Sequence, residues 1–337
     1  MQKLNIDDVA RLAFVSRSVV SRVLNKRSNV SDSARMRVME VIQKYNYRPS
    51  SVARSLATHC TYEVSVLVPR LDDEILANGF WSLLILSISE ACIQRGYFVS
   101  LNMISREAEA KINDRILKGH NLDGYILIGA DVANQTSQVL REMVMPCVVI
   151  GNSPGQTDLS SVDIDNVHGG YTATKHLVEL GHRRIAAING PMTSQEAVDR
   201  HKGYLRAHEE AGLDVYENLT LEATYSHRGG YNCMKRLVDE RPTAVFCSSD
   251  AQAGGALLAI HEAGLAVPND LSVIGYDDLP AARYTIPPLT TMRQPIYKLG
   301  ERAADIVLDQ IEGKHIEPVR FHLQADLVER ATCKQVN

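Results

Sequence analysis

Arg17, Ser18, Ser21 and Arg22 share the polar side of the segment Arg17–Asn25 once Val20, Val23 and Leu24 turn inward at i, i+3, i+4. A guanidinium donates paired hydrogen bonds to a guanine edge or a phosphate, and a serine hydroxyl bonds either. That chemistry reads nucleic acid rather than breaks bonds. A second polar set is scattered through the remainder: Asn189, Arg200, the run Ser248-Ser249-Asp250 and the run Gly275-Tyr276-Asp277-Asp278. Phe80 and Trp81, the only tryptophan, add two adjacent aromatic rings. An indole beside carboxylates and an arginine suits a sugar, whose C–H face stacks while its hydroxyls bond the charged groups, and a purine stacks equally well.

The elements that must position these residues fall into two styles. Ile6–Ala13 reads as a short amphipathic helix, Phe14-Val15-Ser16 as a turn, and Arg17–Asn25 as a second helix with Ser16 as its N-cap. Two short helices across a tight turn predict a helix-turn-helix whose second helix enters the major groove. A third helix, capped by Ser31, runs to Lys44 and ends before Pro49. Ser50–Thr58 has good helix formers but little apolar surface, and reads as a hinge that orders only against a partner. Residues 1–60 hold eleven Lys/Arg and four Asp/Glu, a net of +7; the whole chain is −4, which leaves −11 for residues 61–337. A basic head on an acidic body is the footprint of a protein that docks one end on phosphate.

From Glu63 strands and helices alternate, with strands at 64–69, 97–102, 124–128 and 147–150. A second series starts near Val162, with strands at 185–188, 219–222, 244–247 and 271–274. Alternation of this kind predicts parallel sheets with helices on both faces, here as two similar α/β lobes. Ligands of such sheets bind beyond the carboxyl ends of the strands, in the cleft between lobes. The helix at 106–118 belongs to the first series.

Several classes are excluded. There is no run of eighteen apolar residues and no signal-peptide pattern at the N-terminus. The six cysteines are scattered without CxxC, which suits reduced thiols in the cytoplasm and no zinc. No GxGxxG follows the first strand, and GxxxxGK, GxSxG and HExxH are absent, so neither a cofactor nor an enzymatic activity is expected.

With these residues in view, the chain resembles the lactose-repressor/galactose-repressor family over essentially its full length. "DVARLAFVSRSVVSRVLN" looks like that family's head and "YRPSSVARSLA" its hinge. "VDIDNVHGGYTATKHLVELGHRRIAAINGP", "RPTAVFCSSDAQAGGALLAIHEAGLAVPNDLSVIGYDDLP" and "IPPLTTMRQP" match its body. The resemblance implies an α/β fold: an N-terminal all-α helix-turn-helix head plus a two-lobed, periplasmic-binding-protein-like core of doubly wound parallel sheets. Residues 1–49 would be the head, 50–62 the hinge helix and linker, and 63–337 the ligand-binding and dimerisation core. The chain would cross three times, giving a first lobe of about 63–161 and 291–320 and a second of about 162–290 and 321–337.

It further implies a homodimeric repressor, cytoplasmic, whose affinity for a pseudo-palindromic double-stranded DNA operator is set by a small-molecule effector, a sugar or sugar derivative, with a purine as the alternative. Base-contacting positions fall on Arg17, Ser18 and Arg22 and, in the hinge, on Ala53 and Leu56, the latter as a minor-groove wedge. Phosphate positions fall on Ser16, Ser21, Asn25, Ser31 and Tyr47. Effector positions fall on Phe80, Trp81, Asn152, Arg200, Tyr225, Ser249 and Asp277. Departures from the family pattern are Phe14 in place of a turn glycine, Val19 for threonine, Gly79-Phe80-Trp81 for a proline and paired phenylalanines, and Ser249 for asparagine. No leucine heptads follow Val328-Glu329-Arg330, so a dimer is expected rather than a tetramer. A solute-binding protein of transport would account for the body but not for the basic head. A sugar isomerase or dehydrogenase would need a cofactor motif.

Overall fold

The structure, a computed structural model, describes residues 4–24, 29–47, 60–69, 79–104, 122–129, 139–140, 142, 144–151, 158–314 and 317–336. The helix expected at 106–118 and the hinge segment Ser50–Thr58 lie outside them. The chain divides into two compact units, Met1–Tyr62 and Glu63–Asn337.

In the first unit α1 (Ile6–Leu12), α2 (Arg17–Leu24) and α3 (Asp32–Lys44) close over one small core of Val9, Ala10, Ala13, Val20, Val23 and Val38. Each of these helices is too short to hold alone in water, so the shared core stabilises all three. Asn5 starts α1 with a capping box. Its side chain accepts from the backbone N–H groups of Asp7 and Asp8, both at 2.9 Å, and Asp8 Oδ2 accepts from Asn5 N–H at 3.1 Å. The Ser16 carbonyl begins α2 by accepting from Val19 and Val20. Arg37 Nε donates to the Ala13 carbonyl at 3.1 Å and ties α3 to the end of α1.

Among the described residues the second unit holds two six-stranded sheets. The first runs in the order β11-β5-β4-β3-β1-β2 and the second in the order β12-β10-β9-β8-β6-β7. In the first, β1 is Glu63–Pro69, β2 Phe98–Ile104, β3 Gly124–Ile128, β4 Cys147–Ile150, β5 Ser160–Ile164 and β11 Arg320–Leu323. In the second, β6 is Ile185–Asn189, β7 Thr220–Glu222, β8 Ala244–Cys247, β9 Ser272–Asp277, β10 Thr290–Arg293 and β12 Asp326–Val328. All the pairings are parallel except β10 with β12. The central strands β3, β4, β6, β8 and β9 are buried throughout, as strands covered on both faces must be.

Helices α4 (Phe80–Gln94) and α9 (Ile296–Ile311) pack together on the first sheet, and α5 (Asn166–Glu179), α6 (Gln195–Glu210), α7 (His227–Leu237) and α8 (Asp250–Glu262) cover the second. The pairs α5–α6 and α7–α8 lie backbone to backbone. A Cβ on Gly170 would run into the Arg200 carbonyl, and one on Gly255 into that of His227. Among the described residues no helix is long and apolar enough to cross a membrane.

The three crossings come about three residues later than expected. β5 extends to Ile164 and completes the first sheet, so the second series begins at α5 rather than near Val162. β10, expected to open the return to the first lobe at 291, is a strand of the second sheet through Arg293. β11 holds residues 321–323 in the first sheet. In each case the strand keeps pairing until its ladder runs out, and the chain leaves only then. β9 likewise continues to Asp277, so Gly275, Tyr276 and Asp277 are strand residues and not a loop beyond Ile274.

Candidate functional site

Arg17, Ser18 and Arg22 lie exposed on α2, while Val20 and Val23 are buried beneath them, so the amphipathic pattern settles which side is presented. Ser16 is exposed, and its hydroxyl lies 2.8 Å from that of Ser18. Ser21 is half-buried. Ser31 is exposed and caps α3, accepting from Ala34 N–H at 3.4 Å. Tyr47 packs against the head core; burial raises its hydroxyl pKa, Asp7 adds to the rise and Arg17 opposes it. Phe14 turns the chain between α1 and α2 at φ 52°, a left-handed conformation that glycine adopts without cost, and its ring is 86% exposed. Val19 packs on the core from its half-buried position. Asn25, Ala53 and Leu56 lie outside the described residues.

In the second unit the strand ends gather one cluster. Arg200, early on α6, is buried. Its Nε donates to Asn166 Oδ1 at 2.9 Å and its Nη1 to the Ser248 carbonyl at 2.6 Å. The guanidinium sits 3.9 Å over the Tyr276 ring and 5.8 Å from that of Tyr225. Among the described residues no carboxylate comes within 4.0 Å of it, so this buried cation is held by neutral oxygens and an aromatic face. Burial opposes its charge, yet Tyr225, Tyr276 and Asp277 together keep its pKa above the usual arginine value.

Asp277 closes β9 at φ 124° and Asp278 follows at φ 57°, two successive acids in a region that disfavours side chains. The Asp277 carboxylate accepts from Gln294 Nε2 at 2.5 Å. Burial lifts its pKa to about 6, against the pull of Arg200 and of that hydrogen bond. Asp278 is held by Arg293 at 2.7 Å and by Arg330, and its pKa is lowered.

Behind them Asp250, at the start of α8, accepts from Thr291 Oγ1 at 2.5 Å and from Leu279 N–H at 2.8 Å. Burial and the neighbouring Asp277 charge raise it well above the carboxylate range. Asp163, on β5 at the first crossing, reaches about 7, chiefly through burial, although Ile164 N–H bonds it at 2.7 Å. Three polar ends in the cluster are unsatisfied: the hydroxyls of Tyr225, Tyr276 and Ser248 are buried and bond no described residue. Such groups ask for a ligand or water.

Tyr225 follows β7, and its ring fills the space a side chain on Gly190 would need. Ser249 is buried and caps α8, accepting from Gln252 N–H at 3.2 Å, a bond that does not use its own O–H. Phe80 and Trp81 open α4, half-buried, with their rings edge-on at 5.8 Å. A cavity of about 340 Å³ is lined by Leu83 of the same helix together with Asp277, Asp278, Arg293, Gln294 and Ile296 at the second crossing. Asn152 lies outside the described residues.

The structure thus brings Arg200, Tyr225 and Asp277 together. It adds Asn166, Gln294 and Asp163, which the sequence did not single out, and it gives Tyr276 and Ser248, until then only members of polar strand-end runs, direct contacts with Arg200. Tyr276 is named in the run after Ile274 but belongs to β9 itself, and Gln294 has only a weak signal, an amide between a strand and Pro295. Among the described residues no group of three or more His, Cys, Asp or Glu is placed to hold a metal ion.

Known proteins resemble this chain in sequence and fold. Residues 5–50 match the profile of the family described as Bacterial regulatory proteins, lacI family, and residues 174–333 that of a Periplasmic binding protein-like domain. The HTH-type transcriptional repressor PurR of Mannheimia succiniciproducens is 33% identical over 335 residues, 98% of this chain and 99% of its own length. The ribose operon repressor of Escherichia coli is 35% identical over 330 residues, covering 97% and 98%. In structure, the lac repressor dimer bound to operator and the anti-inducer ONPF superposes with a TM-score of 0.87 at 28% identity, covering 99% of this chain and 100% of that one.

Proposed function

The chain belongs to the lacI family of bacterial regulatory proteins, and on that premise we propose that Arg200, Tyr225 and Asp277 form the effector site of a DNA-binding repressor. It is a transcriptional regulator and not an enzyme. Operator DNA, a small-molecule effector and a second copy of the chain are its partners. Arg17, Ser18 and Arg22 read bases, Ser16, Ser21 and Tyr47 hold phosphates, and a dimer sets two heads on a pseudo-palindromic operator. Ser31 joins the phosphate set through whatever its capping bond leaves free.

The observation that carries the effector reading is Arg200: a buried guanidinium with neutral partners only, beside Asp277 and two unbonded tyrosine hydroxyls. A sugar suits this set. Its hydroxyls accept from the guanidinium and the tyrosines and donate to the Asp277 carboxylate, while Phe80 and Trp81 offer faces for stacking. A purine is the second reading, favoured by the aromatic Tyr225, Tyr276 and Trp81. Effector bound between the lobes biases their closure and hence operator affinity, a coupling between two sites.

A thermal-shift screen of sugars, sugar phosphates and purines tests this. A true effector at a hundredfold its Kd stabilises the protein by about 2.7 kcal/mol. Asp277→Asn keeps size and shape, and should still bind operator while losing at least about tenfold in effector affinity, since the ligand hydroxyl then meets a neutral acceptor. Undiminished effector affinity by calorimetry would place the site elsewhere.

A further inference from the structure

The head contains a carboxylate where a polyanion is to be met. Asp7 and Asp8 both lie in the first turn of α1, but they are used differently. Asp8 closes the capping box and bonds Arg11 at 2.9 Å. The side chain of Asp7 takes no part in the cap. Its Oδ1 lies 3.9 Å from Arg17 Nε, at the start of α2, and both side chains are about two-thirds exposed, at 65% and 67%. Tyr47, which follows α3, packs on the head core near enough for both charges to act on its hydroxyl. The consecutive helices α1 and α2 therefore form one acid–base pair at the N-terminal end of the recognition helix, and Tyr47, after α3, lies within reach of both charges.

We propose that Asp7 is a specificity-determining residue that positions the Arg17 guanidinium for base reading and opposes its use on phosphate. The inference rests on the reading of Arg17 as a base contact. Arginine recognises guanine through a planar fork, and a fork is selective only when its orientation is held. The Asp7 carboxylate, 3.9 Å from Arg17 Nε, draws that side of the guanidinium toward itself and biases its orientation, leaving the remaining donors for a base edge. The same carboxylate repels phosphate, so Arg17 reaches a backbone oxygen on random DNA only by leaving its partner and bringing a negative charge close to the duplex. In water an exposed pair at this distance adds little to stability. Its effect belongs to the complex, where it separates matched from unmatched DNA.

The test uses the full-length protein and the duplex that it selects from a random pool, with each base pair of the half-site then varied in turn. Asp7→Asn should cut the preference at the base pair read by Arg17 by about tenfold, the scale of one bidentate contact. It should also tighten binding to random duplex several-fold, with a log–log salt slope steeper by up to about 0.9, the value for one more phosphate contact. Asp7→Glu, which keeps the charge, should hold the preference to within a factor of about two. In an Arg17→Ala background Asp7→Asn should change the preference no further.

Circular dichroism and thermal melting confirm that each head is folded, and Asp7→Glu keeps the question open to test should Asp7→Asn fail to fold. If Asp7→Asn leaves the preference intact while Arg17→Ala abolishes it, the inference falls and the role of Arg17 stands. If the effect of Asp7→Asn persists without Arg17, the carboxylate acts by general repulsion and the inference falls. If Arg17→Ala keeps full preference, both readings fall together.

Discussion

Asp163 and Asp277, at the proposed effector cluster, are held away from their ordinary ionisation, and the sign of the effect makes it measurable. Burial lifts Asp163 to about 7 and Asp277 to about 6. A raised carboxyl binds protons in the folded state that the unfolded chain has already released. Its favourable contribution is complete below about pH 4 and is lost as pH climbs through the raised value. For Asp163 that window runs from about pH 4 to 7. Asp163→Asn removes the titration but keeps an oxygen for Ile164 N–H. Its melting temperature should exceed that of the wild type by about 2–4 °C at pH 8, the scale of 1 kcal/mol, and the gain should vanish near pH 4. Equal gains at both pH values would mean that the carboxylate is not desolvated as described. Arg200 carries a different cost. Arg200→Ala strands Asn166 Oδ1 and the Ser248 carbonyl, each an acceptor whose loss costs about 1–3 kcal/mol, so that variant should lose stability as well as effector response. Differential scanning calorimetry with and without effector separates the two.

At the scale of elements, α5 and α6 meet through glycines. A Cβ on Gly170 meets the Arg200 carbonyl, and one on Gly203 meets that of Val167, so the helices touch where a side chain would part them. Gly170→Ala must push α6 outward at Arg200 itself. It should cost about 1–3 kcal/mol in denaturant unfolding, as overpacking does, and weaken effector binding, while Gly255→Ala in the α7–α8 contact should cost similar stability with less effect on effector. These close approaches were not readable beforehand, because a glycine in a helical pattern records permission and not the partner that uses it. The amphipathic helices of the head were readable, since Val20 and Val23 fall at the spacing of a buried stripe. Arg200 and Asp277 were legible as polar residues beside strand ends. Tyr276 was legible in the same run, but not as the ring beneath Arg200, because it sits in a strand whose end depends on pairing with β10 across the sheet. Asn5 was readable in principle as the first member of Asn-x-x-Asp, the pattern of a reciprocal cap.

At the scale of the molecule, the division between Tyr62 and Glu63 coincides with a reversal of charge, from a net of +7 over residues 1–60 to −11 over residues 61–337. Residues 63–337 expressed alone should bind effector with an affinity unchanged to within about twofold, by calorimetry, and should show no retardation of operator DNA. Loss of effector binding in that fragment would place part of the site in the head. Neither sheet of this unit is built from one stretch of chain. The first sheet takes its outermost strand from Arg320–Leu323 and the second takes Asp326–Val328, while α9 arrives on the first sheet only after β10 has been laid on the second. A ribosome that has delivered 300 residues has therefore released the head and two lobes whose sheets each lack one strand. A message broken before the codon for Arg320 yields a polypeptide with its recognition helix intact and with no completed sheet to govern it.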